Sequence, residues 1–288
     1  MAIISANAVK DLREKTGVGM MEAKKALEEA GGDFEKAVDI LRKKGLSAAA
    51  KKAGRIAAEG IIASSILANA GVIIEVNSET DFVAKNEEFQ QFAKGLADLV
   101  REKNPADVAA LSQLFIGNEL VETKRQALVQ KIGENLSIRR FDRYETDAKI
   151  ALYLHGTRIG VMVDFTDGDD QLGKDIAMHI AAANPLYLSR ETVPIETIDR
   201  ERSIYEAQAK ETGKPAAVIA KIVDGKIEKF YGDTCLMEQV FIKDPNGKLK
   251  VKNILKNAAV RRFVRYQLGE GIEKKKECFA EEVAAQLK

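Results

Sequence analysis

Tryptophan is absent from this chain of 288 residues, and cysteine and histidine occur only twice each. A catalytic zinc centre needs three protein ligands, and a hydrolase needs a nucleophile paired with a base. Cys235, Cys278, His155 and His179 are scattered among unrelated segments, so neither set is visible, and no catalytic or metal-ligating residue is assigned. The cysteines lack C-x-x-C spacing, which argues against a zinc site or a redox pair. Neither a G-x-x-x-x-G-K-S/T phosphate loop nor a G-x-G-x-x-G dinucleotide fingerprint occurs, so no cofactor is expected. Carboxylates are plentiful, which leaves an acid/base pair open, but enzyme is the weaker reading. An excess of one charge is missing too. Lysine plus arginine number 45 against 44 aspartates plus glutamates, a net charge of +1. A protein that grips a nucleic-acid backbone usually carries a clear basic excess. No apolar run approaches the ~18 residues of a membrane span and no signal-peptide layout is seen. A cytoplasmic, reduced protein with no membrane partner is expected.

What is present is an ordinary globular mixture, 45% apolar and 31% charged, enough for one large domain or two to three small ones. Residues 1–55 read as a three-helix module with a linker. Ser5 caps a helix to about Lys15, with Val9 and Leu12 inward and Gly17 past its end. A second helix runs from Met20 to Ala30, with Ala23, Leu27 and Ala30 on one stripe, and stops at Gly31-Gly32. Asp33 caps a third, where Phe34, Ala37, Val38 and Leu41 follow the spacing of a buried face. Gly45 is expected to end it, ahead of an alanine-rich helical linker from Ser47 to Arg55.

Beyond the linker the chain repeats itself. Gly71-Val72-Ile73-Ile74-Glu75-Val76 resembles Gly160-Val161-Met162-Val163-Asp164-Phe165, and Ile138-Arg139-Arg140-Phe141-Asp142-Arg143-Tyr144 recurs as Val260-Arg261-Arg262-Phe263-Val264-Arg265-Tyr266. Each first segment follows another strand-like run across a short turn, and an amphipathic helix comes after it. A helical stretch precedes each second segment, Gln126–Ile132 and Val251–Asn257. The offset between copies grows from 89 residues (71 to 160) to 122 (139 to 261). The added length falls on Glu191–Tyr231, where two helical patterns flank Thr212-Gly213-Lys214-Pro215 and predict an antiparallel helical hairpin. Asp244-Pro245-Asn246-Gly247 marks a turn, and Glu273–Leu287 reads as a terminal helix. The expected fold class is α+β: the three-helix module (1–55), a duplicated core with small antiparallel sheets (56–145 and 146–272, the second carrying a hairpin at about 191–231), and a C-terminal helical module (273–288).

The segment after Val76 does not look like scaffold. It runs Asn77-Ser78-Glu79-Thr80-Asp81-Phe82-Val83-Ala84-Lys85-Asn86, and an aromatic among small polar residues stands out. Phe82 admits two placements. It folds into the core as the first turn of the next helix, capped by Thr80 or Asp81, or it stands out as an aromatic wedge for a partner's pocket. The arginines of the repeat admit a second function, an RNA-binding surface of basic and aromatic residues on strands. An apolar side facing the core and a charged side facing water accounts for the same pattern.

Leu12-Arg13-Glu14-Lys15-Thr16-Gly17-Val18-Gly19-Met20-Met21-Glu22-Ala23-Lys24-Lys25-Ala26-Leu27 closely resembles the N-terminal signature of the translation elongation factor Ts family, and Glu75 to Lys85 resembles its second signature. Lys131-Ile132-Gly133-Glu134-Asn135, His155 to Gly160, Met178 to Ala181 and Gly269 to Lys274 also match, in order. The resemblance spans essentially the whole chain. It implies a guanine-nucleotide exchange factor in protein biosynthesis, with a ubiquitin-associated-like first domain, and elongation factor Tu as partner. It implies that Thr80, Asp81, Phe82 and Val83 disturb the magnesium and phosphate site of that GTPase, and that Met20, Met21, Lys24, Ile132, Gly133 and His155 also touch it. No direct contact with nucleic acid is implied, and the hairpin is a candidate for homodimerisation.

Overall fold

The computed structural model describes residues 4–273. The expected helix from Glu273 to Leu287 lies, beyond its first residue, outside the described residues, as does Cys278. The described chain is mixed α+β and divides into two compact units. One takes in the residues up to Ser65, Val72–Arg143 and Gln267 onward; the other holds Ile66–Gly71 and Tyr144–Tyr266.

The first unit opens with α1 (Ala6–Thr16), α2 (Met20–Glu29) and α3 (Phe34–Lys52). Ser5 accepts from the Ala8 N–H at 3.1 Å and Asp33 from the Lys36 N–H at 3.0 Å, so both expected caps form. Val9, Leu12, Val18, Ala23, Leu27, Ala37 and Leu41 close a small apolar cluster between the three helices. Gly45 does not end α3. The helix runs through it to Lys52 because α3 packs along α6 (Val121–Ile132), and a Cβ on Gly45 would lie 2.7 Å from the Gln130 Oε1. The glycine makes room for a neighbour rather than a stop, and part of the expected linker is this helix's last turns.

The strands β1 (Glu59–Leu67), β2 (Ala70–Ser78) and β5 (Ser137–Glu145) form a sheet with β2 in the middle. Every residue of β2 is buried, as a central strand covered on both faces must be. Val72, Ile74 and Val76 share one core with Phe89, Phe92, Leu96 and Val100 of α4 (Glu87–Lys103). Between α4 and α6 lie a short α5 (Val108–Ser112) and a small antiparallel pair, β3 (Phe115–Ile116) with β4 (Glu119–Leu120).

The second unit repeats the sheet order with β6 (Lys149–His155), β7 (Ile159–Thr166) and β8 (Ala259–Gln267), β7 again central. β6 and β7 pair antiparallel from Lys149 opposite Phe165 to His155 opposite Ile159. Val161, Val163, Phe165, Val260 and, from α7 (Asp170–Ala183), Ile176 and Ile180 make the core. The helices α8 (Ile195–Lys210) and α9 (Ala216–Thr234) pack together across the Gly213 turn. The helix read over Val251–Asn257 is a single turn, α10 (Val251–Ile254). It stops there because the backbone turns left-handed at Lys256, at φ 52°.

The repeated arginines, half-buried at Arg139 and Arg140 and exposed at Arg261 and Arg262, do more than face water, because each pair bonds a buried acid. Glu75, wholly buried on β2, accepts from Arg139 Nη1 at 2.9 Å, Arg140 Nε at 2.7 Å, the Gly269 N–H at 2.8 Å and Asn77 Nδ2 at 3.1 Å. Burial alone would raise this carboxyl's pKa, but the bonds from Gly269, Arg139 and Arg140 outweigh it and hold the pKa below the usual carboxylate value. In the other unit Asp164, equally buried on β7, accepts from Arg262 Nε and Thr146 Oγ1, both at 3.0 Å, and Arg262 stacks on the Tyr144 ring at 4.1 Å. An acid from the central strand and an arginine pair from the third strand recur in both copies. Period reading misses this because the partners are far apart in sequence.

Candidate partner-binding site

At the end of β2 the chain does not enter α4 directly. Residues 79–82 form a loop, Val83–Lys85 make one 3-10 turn, and Asn86 caps α4 by accepting from the Phe89 N–H at 3.0 Å. Neither Thr80 nor Asp81 caps that helix. Val83 and Ala84 are buried in the apolar core, whereas Phe82 is 77% exposed, the most exposed large apolar side chain among the described residues. Its backbone sits at φ −62°, ψ −39°, an ordinary helical conformation. Phe82 thus stands out from a relaxed turn whose next residue is anchored, with exposed Asp81 beside it.

The loop is held from the other side by the segment that follows α6. Gly133 ends α6 at φ 88°, a left-handed cap that suits glycine. The Glu134 carboxylate then accepts from the Thr80 N–H at 2.9 Å and the Thr80 hydroxyl at 2.6 Å. The exchange is reciprocal: Glu79 accepts from the Asn135 N–H at 2.6 Å. Ser78 Oγ donates to the Thr80 carbonyl at 2.9 Å, and Asn135 Nδ2 to the Arg55 carbonyl at 2.9 Å. Thr80 and the pair Ile132–Gly133, expected in one interface from distant parts of the chain, therefore lie beside each other. Ile132 is half-buried against the core and Gly133 is exposed.

In the same unit Met20, Met21 and Lys24 are exposed on α2; Met20 and Lys24 border the stripe of buried Ala23, Ala26 and Leu27, and Met21 points away from it. Met20 is 49% and Met21 63% exposed, and Lys24 lies 3.8 Å from Glu28 one turn on. The turn before α2 reaches α6: a Cβ on Gly17 would lie 3.2 Å from Lys131 Cδ, next to Ile132. His155 belongs to the second unit, exposed at the end of β6, with Tyr153 Oη 3.3 Å from its Nδ1.

The other histidine is spoken for. His179 is buried on α7, its Nδ1 accepting from the Ile242 N–H at 3.2 Å and its Nε2 facing Gln239 Oε1 at 3.0 Å. Burial lowers its pKa despite the opposing bond to Gln239, so it is a neutral core residue. Among the described residues no three His, Cys, Asp or Glu side chains group as metal ligands, and no helix is long and apolar enough to cross a membrane. Sequence reasoning missed Glu79 and Glu134 as members of the site. Both lay in motifs already singled out, and the signal was an acid followed by a hydrogen-bond donor in each, Glu79-Thr80 and Glu134-Asn135.

A family model described as Elongation factor TS matches residues 79–270. Curated proteins named elongation factor Ts from Burkholderia multivorans and Burkholderia thailandensis are each 53% identical over 289 residues, spanning 100% of this chain and 98% of theirs. That of Paraburkholderia xenovorans is 54% identical over the same span. These matches place the chain in a class of nucleotide-exchange factors of translation elongation. The chain belongs to the elongation factor Ts family, and the partner of that family is elongation factor Tu.

Proposed function

We propose that the Thr80–Val83 loop is the acting part of this exchange factor, entering the magnesium and phosphate site of elongation factor Tu bound to GDP. The observation that carries this reading is Phe82, 77% exposed on a loop tied to Glu134 on one side and to the core through Val83 on the other. An exposed aromatic in a prepared geometry is the kind of residue that dominates an interface. In a GTPase, phosphate contacts and a magnesium ion that neutralises phosphate charge hold the nucleotide. A wedge that shifts the ion's surroundings weakens that hold without covalent chemistry. The coupling is reciprocal, so GDP lowers affinity for the factor by the ratio in which the factor lowers affinity for GDP, and GTP entry then releases the factor.

In this reading Met20, Met21, Lys24, Ile132, Gly133 and His155 dock the partner, Asp81 adds a negative charge beside the wedge, and the protein works in the cytoplasm. Ile195, Ile204 and Val218 leave apolar surface on the hairpin, which supports a homodimer through α8 and α9; sedimentation of the isolated chain tests it. The decisive measurement for exchange is release of fluorescent GDP from elongation factor Tu. Release should speed up on adding this protein, while the isolated chain binds no GDP. An unchanged release rate would sink the proposal.

A further inference from the structure

We infer that Glu134 is a positioning residue for exchange, acting through Thr80 to hold Phe82 in its outward place; this rests on the reading of Phe82 as the wedge. One carboxylate takes both the N–H and the hydroxyl of Thr80, two residues before Phe82. Hydrogen bonds to an ionised acceptor are about twice as strong as neutral ones, and two on one residue fix its backbone and its side chain together. Glu79 returns a bond to Asn135, so the two loops are tied to each other in both directions.

The duplication separates this device from the fold. At the offsets of the repeat, Asp164 stands for Glu75 and Arg261-Arg262 for Arg139-Arg140, and the buried acid–arginine bonding is kept in both units. The latch is not kept. Lys256 stands where Glu134 does, Asp169 where Thr80 does and Gln171 where Phe82 does. There Asp169 caps α7 directly by accepting from the Leu172 N–H at 2.7 Å, and the chain enters the helix after the short connection 167–169 with no 3-10 turn between. A sheet of the same order thus folds with the charge reversed at the latch position, and the latch occurs in the copy that carries the exposed phenylalanine.

The test uses the full chain with its GTPase partner loaded with fluorescent GDP, alongside amide hydrogen exchange on the free chain. Glu134→Ala and Thr80→Val should each lower the saturating GDP-release rate by about tenfold, the worth of a hydrogen bond to a charged group. Half-saturation should shift much less, since Met20 and Met21 are untouched. Thr80→Ser keeps the hydroxyl and should restore the rate, and the double variant should be no worse than the weaker single one. Protection of the Thr80 amide should fall in Glu134→Ala with little change in melting temperature. Should Glu134→Ala fail to fold, Thr80→Val carries the test, because it removes only the hydroxyl bond. Phe82→Ala is the reference. If it leaves release unchanged, the wedge reading fails and the rate inference with it. If it abolishes release while the Glu134 and Thr80 variants match wild type, the inference alone is overturned. A rate loss that tracks the melting temperature, or no rescue by Thr80→Ser, would also overturn it.

Discussion

Arg140 donates from Nε to Glu75 at 2.7 Å, and Arg262 repeats that bond to Asp164 at 3.0 Å in the second sheet. Each acid is buried and comes from the central strand, so each sheet carries its third strand on a charge pair rather than on apolar contact alone. A buried charge is tolerable only while its partners are in place.

Glu75→Ala should therefore destabilise the first unit by roughly 1–3 kcal/mol, because it strands the Gly269 N–H while the two half-buried arginines stay within reach of water. Asp164→Ala should cost the second unit less, because Arg262 is already the more exposed partner. Urea unfolding measures both. The same commitment of the arginines predicts weak retention on a polyanionic resin at moderate salt, and tight retention would revive an RNA-binding surface.

Phe82→Ala should leave stability nearly untouched, far from the ~3–5 kcal/mol of a truncated core phenylalanine. GDP release from the partner should slow by about tenfold or more, as loss of an interface aromatic anchor does. A large fall in melting temperature with a proportionate loss of activity would return Phe82 to a packing role.

Met21→Lys should weaken binding to the partner while leaving the melting temperature in place, because Met21 is 63% exposed on the outer face of α2. At high factor concentration the release rate should recover, which separates docking from the action of the loop. Unchanged half-saturation would remove α2 from the interface.

Acid should loosen the second unit in two stages. His179 has a lowered pKa, so the unfolded chain takes up the proton first, and stability falls as pH drops below the ordinary histidine value of about 6.5. Glu238 is hydrogen-bonded by Lys250 at 2.8 Å, Lys252 at 3.0 Å and Arg190 at 3.2 Å, and its pKa is lowered to about 2. Its contribution, about 1 kcal/mol once solvent screening of the exposed lysines is allowed for, is whole above the ordinary carboxylate range and is lost between about pH 4.5 and 2. Glu238→Gln should flatten the second stage and leave the first, and thermal melts across that range decide it.

Much of this was legible in the sequence. The caps at Ser5 and Asp33, the inward stripes of the first helices and the two-copy order of strands follow from local chemistry and spacing. The family motifs named the Phe82 loop before any geometry was known. The failures share one cause. Gly45 looks like a stop until α6 lies against it, Arg139 and Arg140 look solvated until Glu75 is brought across the sheet, and Glu134 is one acid among many until Thr80 sits beside it. In each case a residue far along the chain sets the role, and no window of neighbouring residues contains that partner.

The anchoring of Phe82 also bears on how the protein survives in a cell. Proteases favour exposed loop tips, and many cut beside aromatic residues, but they must first draw several residues out into an extended strand. Here Thr80 is fastened two residues before Phe82 and Val83 is sunk in the core one residue after it. The side chain is in the open while the peptide bonds on either side of it are withheld, so the protein can show an inviting aromatic without offering a place to be cut.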